Sequence, residues 1–318
     1  MKRRDLIGLA AAAVPGAALA QTAAPVRLVV PFPPGGASDA VGRSLAEQLR
    51  ARLDRPVIVD NRPGASGNIG ADIVAKARPD GLTLLLASAS THGINPTLMA
   101  NMPFDSRRDF TPISLIAMVP SLLVVWAGLP VRNLAELIDY ARANPGQLNY
   151  SSTGPGTTQH LAGVMFEQRT GAQLVHVPYR GSGPSVPDLV TGKTQLSFTN
   201  IVAVMGAVET GQLRALAVSL PERWPALPDV PTFDEAGLSG FQVSSWLAVL
   251  GPAGLPPRIV GEYGAALQAA VMDPQLRQRL INAGCLPIGS SPEEAATFID
   301  REITSWGAVV RASGARVE

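Results

Sequence analysis

The sequence predicts an α/β protein of two lobes, the first built from both ends of the chain and the second inserted between them. Three observations support this prediction. The 318 residues exceed the length of about 250 at which a single hydrophobic core stops growing. Short apolar runs alternate with helical patterns in two series, which is typical of mixed, mostly parallel sheets flanked by helices. An apolar stretch at 113–126, interrupted by Pro120, separates the two series.

The first series begins with an apolar run that Pro31 ends. Ser38 or Asp39 offers a side-chain oxygen that can cap the helix that follows. Strand–helix pairs then repeat along the chain. The predicted elements are a strand at 26–30, a helix from residue 38 or 39 to 52, a strand at 57–60, a helix ending at residue 77, and a strand at 82–87.

The second series contains the same alternation of helical and strand patterns. Its predicted helices cover 134–143, 157–170, 185–189 and 201–210, and its predicted strands cover 148–151, 174–177, 195–198 and 214–218. A parallel sheet is expected again, because each strand is followed by a helix. The loops after its strands should lie at one edge of that sheet.

The C-terminal part of the chain is predicted to return to the first lobe. A proline-rich segment at 221–231 precedes an apolar run at 241–250 and two helices at 258–272 and 292–310. We therefore assign 21–112 and 222–318 to lobe 1, and 113–221 to lobe 2. Two crossings between lobes leave a cleft that loops from both sheets would border.

The first twenty residues have the pattern of a signal peptide. A basic start containing Arg3 and Arg4 precedes an apolar, alanine-rich run, and Ala18, Leu19 and Ala20 form the small-x-small pattern of a cleavage site. The run is shorter than the ~20 apolar residues that a membrane-spanning helix needs, and it contains Pro15. We expect export and cleavage after Ala20, by either the general secretory or the twin-arginine route.

Composition argues against several classes of partner. The net charge is +1, and removal of residues 1–20 would change it to −1, so no basic surface for nucleic acid is expected. The single cysteine, Cys285, forms no intramolecular disulfide, and we expect it to be a small buried residue. The three histidines lack the spacing that places two metal ligands on one helix face. No metal site is therefore predicted.

Motifs for catalysis and for cofactors are also missing from the sequence. The glycine-containing segments 64–67 and 181–183 lack the spacing of a nucleophile elbow. The glycines at 64, 67 and 70 do not have the spacing of a dinucleotide-binding fingerprint. The sequence therefore predicts neither an enzyme nor a cofactor.

Two loops have the composition of an anion-binding site. Segment 33–39 places glycines at a helix N-terminus, where free N–H groups and the helix dipole favour negative charge. Segment 151–158 has the same arrangement in lobe 2, with additional hydroxyl groups. Each loop alone is equally typical of an ordinary capped turn. Two such loops, one in each lobe, would face each other across the cleft.

Five segments together carry a resemblance to a known family. They are PFPPGGASD at 31–39, NRPGASGNIG at 61–70, RPDG at 78–81, VPYRG at 177–181 and LPDVPT at 227–232. In this order they resemble the extracytoplasmic solute receptors of the tripartite tricarboxylate transporters, the Bug family. The resemblance covers essentially the whole chain after residue 20.

The resemblance implies a periplasmic binding protein with a two-lobed Venus-flytrap fold, and we expect this protein to be a monomer. Such a receptor would bind a small carboxylated solute and deliver it to a permease with a large and a small membrane subunit. The ligand-binding roles of the family fall here on Phe32, Gly35, Gly36, Ala37, Ser88, Thr91, Thr153, Gly156, Thr157, Tyr179 and Thr199. Many relatives carry Asp at the position of Thr199, and its absence makes an amino acid a less suitable ligand.

Other interpretations remain open at this stage. The same cleft could serve an exported enzyme that acts on a small carboxylate, or a protein that reports its ligand to a membrane sensor. His92 and His160 lie beside the predicted loops, where either a ligand contact or a packing role fits. The identity of the carboxylate depends on the shape of the cleft, which sequence spacing does not determine.

Overall fold

Runs of Val, Leu and Ile form the strands of two separate sheets in the computed structural model, which describes residues 24–241 and 243–313. Such runs are typical of strands that are buried on both faces. The predicted signal segment at 1–20 lies outside the described residues. The strands are β1 (Val26–Val30), β2 (Val57–Asn61), β3 (Thr83–Ser88), β4 (Phe110–Val119), β5 (Ser121–Trp126), β6 (Leu148–Ser152), β7 (Leu174–Pro178), β8 (Leu196–Asn200), β9 (Leu213–Val218), β10 (Ser245–Pro252) and β11 (Leu286–Pro287).

Helices follow most of the strands and cover the sheets. Their bounds are α1 (Ala37–Leu53), α2 (Asn68–Ala75), α3 (Asn95–Leu98), α4 (Leu134–Ala143), α5 (Thr158–Thr170), α6 (Ser182–Val190), α7 (Ile201–Glu209), α8 (Pro257–Met272), α9 (Pro274–Asn282) and α10 (Pro292–Ser313). A short 3₁₀ turn precedes α2, and a π-helical turn (Ala89–Ile94) precedes α3. Among the described residues, no helix has both the length and the apolar character needed to cross a bilayer.

The two sheets are mixed and define the two lobes. The strand order of the lobe 1 sheet is β11-β4-β10-β3-β1-β2, and that of the lobe 2 sheet is β7-β6-β8-β5-β9. In lobe 1, β1 pairs with β2 and β3 in parallel, while β10 runs antiparallel to β3 and β4. In lobe 2, β6 pairs with β7 and β8 in parallel, while β5 runs antiparallel to β8 and β9. The predicted α/β architecture, two mixed sheets flanked by helices, is confirmed.

The chain passes between the sheets later than the boundary at 112/113 predicts. Strand β4 pairs with β10 from Phe110 to Val119, and the chain enters the lobe 2 sheet only at Ser121. Pro120 marks the crossing because it has no N–H to donate to either ladder. The apolar run from 113 to 126 therefore contains one strand from each sheet.

The return path also stays longer with lobe 2 than the boundary at 221/222 predicts. Phe233 and Phe241 pack with Phe198 of β8 in the lobe 2 core. Val218 and Thr232 form an isolated parallel bridge. Packing against the lobe 2 core removes these apolar side chains from water. The segment therefore follows lobe 2 before β10 rejoins lobe 1.

Each face of the lobe 1 sheet buries a separate core. Leu28 of β1 packs with Leu45 of α1 and Leu267 of α8 on one face. Val29, the next residue, packs with Val74 of α2 and with α10 on the opposite face. The alternation of side chains along a strand accounts for this division. The packing of α1 against β1 also fixes the position of this helix, so the N-terminus of α1 lies beside the C-terminal end of β1.

Several elements were missing from the sequence prediction. Helix α9 begins after Asp273, whose side chain accepts hydrogen bonds from the amides of Gln275 and Leu276. Its buried Leu276 and Leu280 have the helical spacing of four residues, so a sequence signal was present. The π-helical turn and the two-residue strand β11 carry no comparable periodic signal.

The prediction for the cysteine is confirmed. Cys285 is free and fully buried. Burial raises the pKa of its thiol to about 12.

Candidate functional site

A cavity of about 450 Å³ lies between the two lobes. Strands β1 and β3 of lobe 1, and β6 and β8 of lobe 2, end beside it. Loops and helix N-termini that follow these strands form most of its wall. Pro120 and its neighbours in the crossing between lobes also line it. The arrangement agrees with the rule that ligands bind at the carboxyl ends of strands in open α/β sheets.

The lobe 1 wall contains the loop between β1 and α1. Gly36 is the N-cap of α1 and provides no side-chain hydrogen bond to the first turn. Gly35 has a φ of 86°, a left-handed conformation that suits glycine. The first turn of α1 therefore meets the cavity without a side-chain cap covering its amides.

Asp39 stabilises this loop but does not cap the helix, so the predicted cap at Ser38 or Asp39 is wrong. Its carboxylate accepts hydrogen bonds from Gly35 N, Arg43 Nε and Asn61 Nδ2, each 3.0 Å long. Burial by itself would raise the pKa of Asp39, but these hydrogen bonds outweigh burial and lower the pKa. The carboxylate thus fixes the backbone of the loop from inside the first turn of α1.

The second lobe 1 loop follows β3 and contributes Ser88 and Ser90 to the cavity. Thr91 is fully buried and does not line the cavity. Its Oγ1 accepts a hydrogen bond from Ser88 N and donates one to Ser88 O, both 3.1 Å long. Thr91 therefore supports the loop, and Ser90 occupies the wall.

The loop between β6 and α5 forms part of the lobe 2 wall. Gln159 Oε1 accepts a 2.7 Å hydrogen bond from Thr153 N, which ties the loop to the helix. Thr157 is the N-cap of α5: its Oγ1 donates to Gly154 O at 2.8 Å and accepts from His160 N at 3.4 Å. Gly156 has a φ of 75°, and an added Cβ would lie 2.5 Å from a methyl of Leu98 in lobe 1. Gly156 is thus a packing position between the lobes.

Loops that follow β7 and β8 complete the wall. Tyr179 points away, and its hydroxyl donates a 2.9 Å hydrogen bond to Asp188 Oδ2. Arg180 and the N-terminus of α6 line the cavity beside it. Thr199 is buried within β8, and the next residue, Asn200, reaches the cavity at the N-terminus of α7.

The structure therefore brings together most of the residues predicted for the site. Those that line the cavity are Phe32, Gly35, Gly36, Ala37, Ser88, Thr153 and Thr157. Those that do not are Thr91, Gly156, Tyr179 and Thr199. Lining residues that the sequence analysis missed include Ser90, Ser121, Gln159, Arg180 and Asn200. Arg180 belongs to the VPYRG segment, so a signal for it was available.

The electrostatics of the cavity favour an anion. The N-termini of α1, α5, α6 and α7 all border it, and each carries the positive end of a helix dipole. Among the described residues that line it, Arg180 is the one charged side chain. No ion pair to Arg180 occurs within 24–241 and 243–313. Its positive charge is therefore available to a ligand.

None of the three histidines lines the cavity: His92 is buried, and His160 and His176 are half-buried. His92 is fully buried against Phe104 and Phe110. His160 and His176 stack with ring centroids 4.2 Å apart. His176 Nε2 lies 2.6 Å from Ser152 Oγ. The packing role that the sequence left open for His92 and His160 fits this placement.

The burial of His92 predicts that the stability of the protein falls in acid. Burial lowers the pKa of His92 to about 3, so His92 stays neutral in the folded protein while the unfolded chain binds a proton below about pH 6.5. The neutral ring of His92 contributes fully to the free energy of unfolding above pH 6.5. This contribution is lost as the pH falls toward 3, at about 1.4 kcal/mol per pH unit. Urea titrations between pH 6 and 4 should show a smaller pH slope for His92→Leu than for the wild type. Identical slopes would contradict this assignment.

Thr157→Val tests the capping role of the threonine hydroxyl. The substitution removes the bonds to Gly154 O and His160 N, so we expect the free energy of unfolding to fall by about 1 kcal/mol. Ligand affinity should change less than tenfold, because the hydroxyl proton is already donated within the loop. Thermal melts and calorimetric titrations of the variant check both results, with Thr157→Ser as the control. A stable variant that has lost binding would contradict the capping role.

The described residues contain no group of three or more His, Cys, Asp or Glu side chains placed to hold a metal ion. The cavity wall instead offers backbone amides, hydroxyls, two amide side chains and a guanidinium. These groups donate hydrogen bonds and suit a ligand that accepts them.

Comparisons with known proteins agree with this arrangement. The family described as the tripartite tricarboxylate transporter family receptor matches residues 41–315. Protein BugT of Bordetella pertussis is 37% identical over 313 residues, which cover 98% of this chain and 96% of BugT. The structure of R. palustris Rpa4515 with adipate is 38% identical and has a TM-score of 0.84, over 92% of this chain and 98% of that one. MatC from Rhodopseudomonas palustris with bound malate is 33% identical with a TM-score of 0.80, over 90% and 98%.

The resemblance predicted from five sequence segments is therefore confirmed by similarity along most of the chain. The likeness extends to the two-lobed architecture. Both the family match and the match to BugT include the loops of lobe 2 and the return into lobe 1. The chain belongs to the tripartite tricarboxylate transporter receptor family, whose members are solute-binding receptors.

Proposed function

We propose that this protein binds a small carboxylate in the cavity between its lobes and delivers it to a membrane transporter. The observation that carries the proposal is the convergence of helix N-termini from both lobes on a cavity whose one charged lining residue, within the described part of the chain, is Arg180. A carboxylate would accept hydrogen bonds from the amides of both lobes at once. Binding would then favour closure of the lobes around the solute.

The size of the cavity is compatible with this ligand class. Its volume of about 450 Å³ lies within the range of roughly 300–1,000 Å³ that is typical of small-molecule sites. The relatives solved with adipate and with malate hold a carboxylate, which supports the same class of ligand here.

The side chains around the cavity support binding over turnover. The pair closest to a nucleophile and base is Ser152 Oγ and His176 Nε2, 2.6 Å apart. Ser152 is only 1% exposed, exchanges hydrogen bonds with Gly154 and does not line the cavity. Burial and the nearby His160 lower the pKa of His176 to about 4, which makes its ring a weak base. A solute in the cavity would not reach this pair.

The place of action follows from the N-terminal sequence and the family. The predicted signal segment, cleaved after Ala20, would place the mature protein in the periplasm, where we propose that it acts as a monomer. A receptor there would pass its solute to the large and small membrane subunits of a tripartite transporter.

A thermal-shift screen tests the proposal. The panel would contain adipate, malate, citrate, benzoate and straight-chain monocarboxylates, with the matching primary amides as controls. A ligand that binds only the folded state raises the melting temperature. We expect at least one acid to raise it while its amide does not. No shift with any acid, confirmed by calorimetric titration, would contradict carboxylate binding.

A further inference from the structure

A second cavity of about 550 Å³ adjoins the first. It lies between one face of α1 in lobe 1, the first turn of α7 in lobe 2, and the C-terminal end of α9. Ala37, Ala40 and Ser44 line it at the helical spacing of three and four residues. The second cavity therefore extends the interlobe space past the N-terminus of α1.

The two cavities share five lining residues, and these form the waist between them. The five are Gly35, Gly36, Ala37, Ser182 and Asn200. An added Cβ would have no neighbour within 4 Å at Gly35, and at Gly36 its nearest neighbour would be Pro33 O at 4.0 Å. The waist thus has open space in front of its two glycines. A slender chain that joins the two cavities would pass along this open side.

The second cavity has an apolar side that suits an uncharged group, although Ser44, Ser182 and Asn282 also line it. Val202 is 46% exposed and lines it together with Ala40, Ala203 and Ala283. The cation in its wall, Arg279, forms an ion pair with Glu47. This positive charge is already compensated, whereas Arg180 in the first cavity has no ion-pair partner in the described part of the chain. The two cavities therefore differ in the group that each would favour.

We propose that the solute is an elongated carboxylate whose charged end occupies the first cavity and whose apolar body crosses the waist into the second. This inference rests on the proposed function, because the carboxylate anchors the ligand beside Arg180. Covering Val202 and the alanine face of α1 removes apolar surface from water, which provides the added affinity. A second charged end would meet no unpaired cation there among the described lining residues.

A chain-length series tests the inference. Calorimetric titrations would use butyrate, hexanoate, octanoate and the dicarboxylate suberate. Each buried methylene should lower Kd about threefold to fourfold, so octanoate should bind about a hundredfold more tightly than butyrate. Suberate should bind more weakly than octanoate, because burial of its second carboxylate is costly.

Ala40→Phe would place an aromatic ring in the second cavity. Ala40 is exposed on α1, so the substitution should leave folding intact. We expect Kd for octanoate to rise at least tenfold while Kd for butyrate stays unchanged. Ala51→Phe is the matched control, because Ala51 is exposed on the same helix outside both cavities. This control should bind both acids as the wild type does.

Four results would overturn the inference. Affinity that does not depend on chain length, with a measurable Kd for butyrate, would overturn the second-cavity assignment and leave the proposed function intact. Unchanged octanoate binding by a folded Ala40→Phe would also overturn the second-cavity assignment alone. Tighter binding of suberate than of octanoate would have the same consequence. Absence of binding by all four acids, and by every acid of the thermal-shift panel, would overturn the proposed function as well.

Discussion

Arg180→Met should weaken carboxylate binding about tenfold to a hundredfold. Arg180 is the one charged side chain that lines the interlobe cavity among the described residues. A hydrogen bond from a charged donor contributes about 1.5–3 kcal/mol, which corresponds to this loss in affinity. Methionine retains much of the length of arginine but donates no hydrogen bond. Calorimetric titration with the acid that gives the largest thermal shift measures the change.

Two further variants separate the charge of Arg180 from general effects. Arg132→Met removes an exposed arginine of the same lobe that lies outside both cavities, and it should bind as the wild type does. Arg180→Lys keeps the positive charge but loses the guanidinium fork, so its affinity should fall between those of wild type and Arg180→Met. If a folded Arg180→Met binds the acid with wild-type affinity, Arg180 does not take part in ligand binding.

Gly36→Val should also weaken binding about tenfold or more. The backbone of Gly36 has a φ of −89° and a ψ of 175°, an extended conformation that valine adopts without strain. An added side chain would extend into open space at the cavity wall and keep the ligand away from the amides of α1. Overfilling a packed site typically costs about 1–3 kcal/mol, and a tenfold loss in affinity corresponds to about 1.4 kcal/mol within this range.

Gly261→Val provides the matched control for this substitution. Gly261 is exposed on α8 of lobe 1, has open space around it and lies outside both cavities. The control should fold and bind as the wild type does. Thermal melts show whether Gly36→Val remains folded. If Gly36→Val is folded and binds with wild-type affinity, the ligand does not approach the amides of α1.

The sequence predicted most elements because their ends carry local signals. Helix α4 begins after Asn133, whose side chain accepts a 2.9 Å hydrogen bond from Glu136 N, and it ends at Ala143 as expected. The predicted lobe boundary at 112/113 precedes the crossing at Pro120, because hydrophobicity continues across Pro120 from one sheet to the other. Periodicity reports burial, and both strands are buried, so it does not identify the sheet to which each belongs.

The site was predicted at the level of loops but only partly at the level of side chains. A loop places neighbouring residues on different sides of its backbone, so Arg180 lines the cavity while Tyr179 bonds to Asp188. The π-helical turn likewise places Ser90 in the wall and buries Thr91. Such choices depend on local backbone geometry and on packing partners distant in the chain. The spacing of residues in the sequence gives no information on the local backbone geometry or on these distant packing partners.

The central claim is that the interlobe cavity recognises the carboxylate group itself. Its most direct test is calorimetric titration of the wild type with the tightest-binding acid of the panel and with the primary amide of that acid. The two compounds share their body and differ in the charge that Arg180 and the helix N-termini would meet. We expect the acid to bind at least about tenfold more tightly than the amide. Equal affinities for the acid and the amide would contradict the claim.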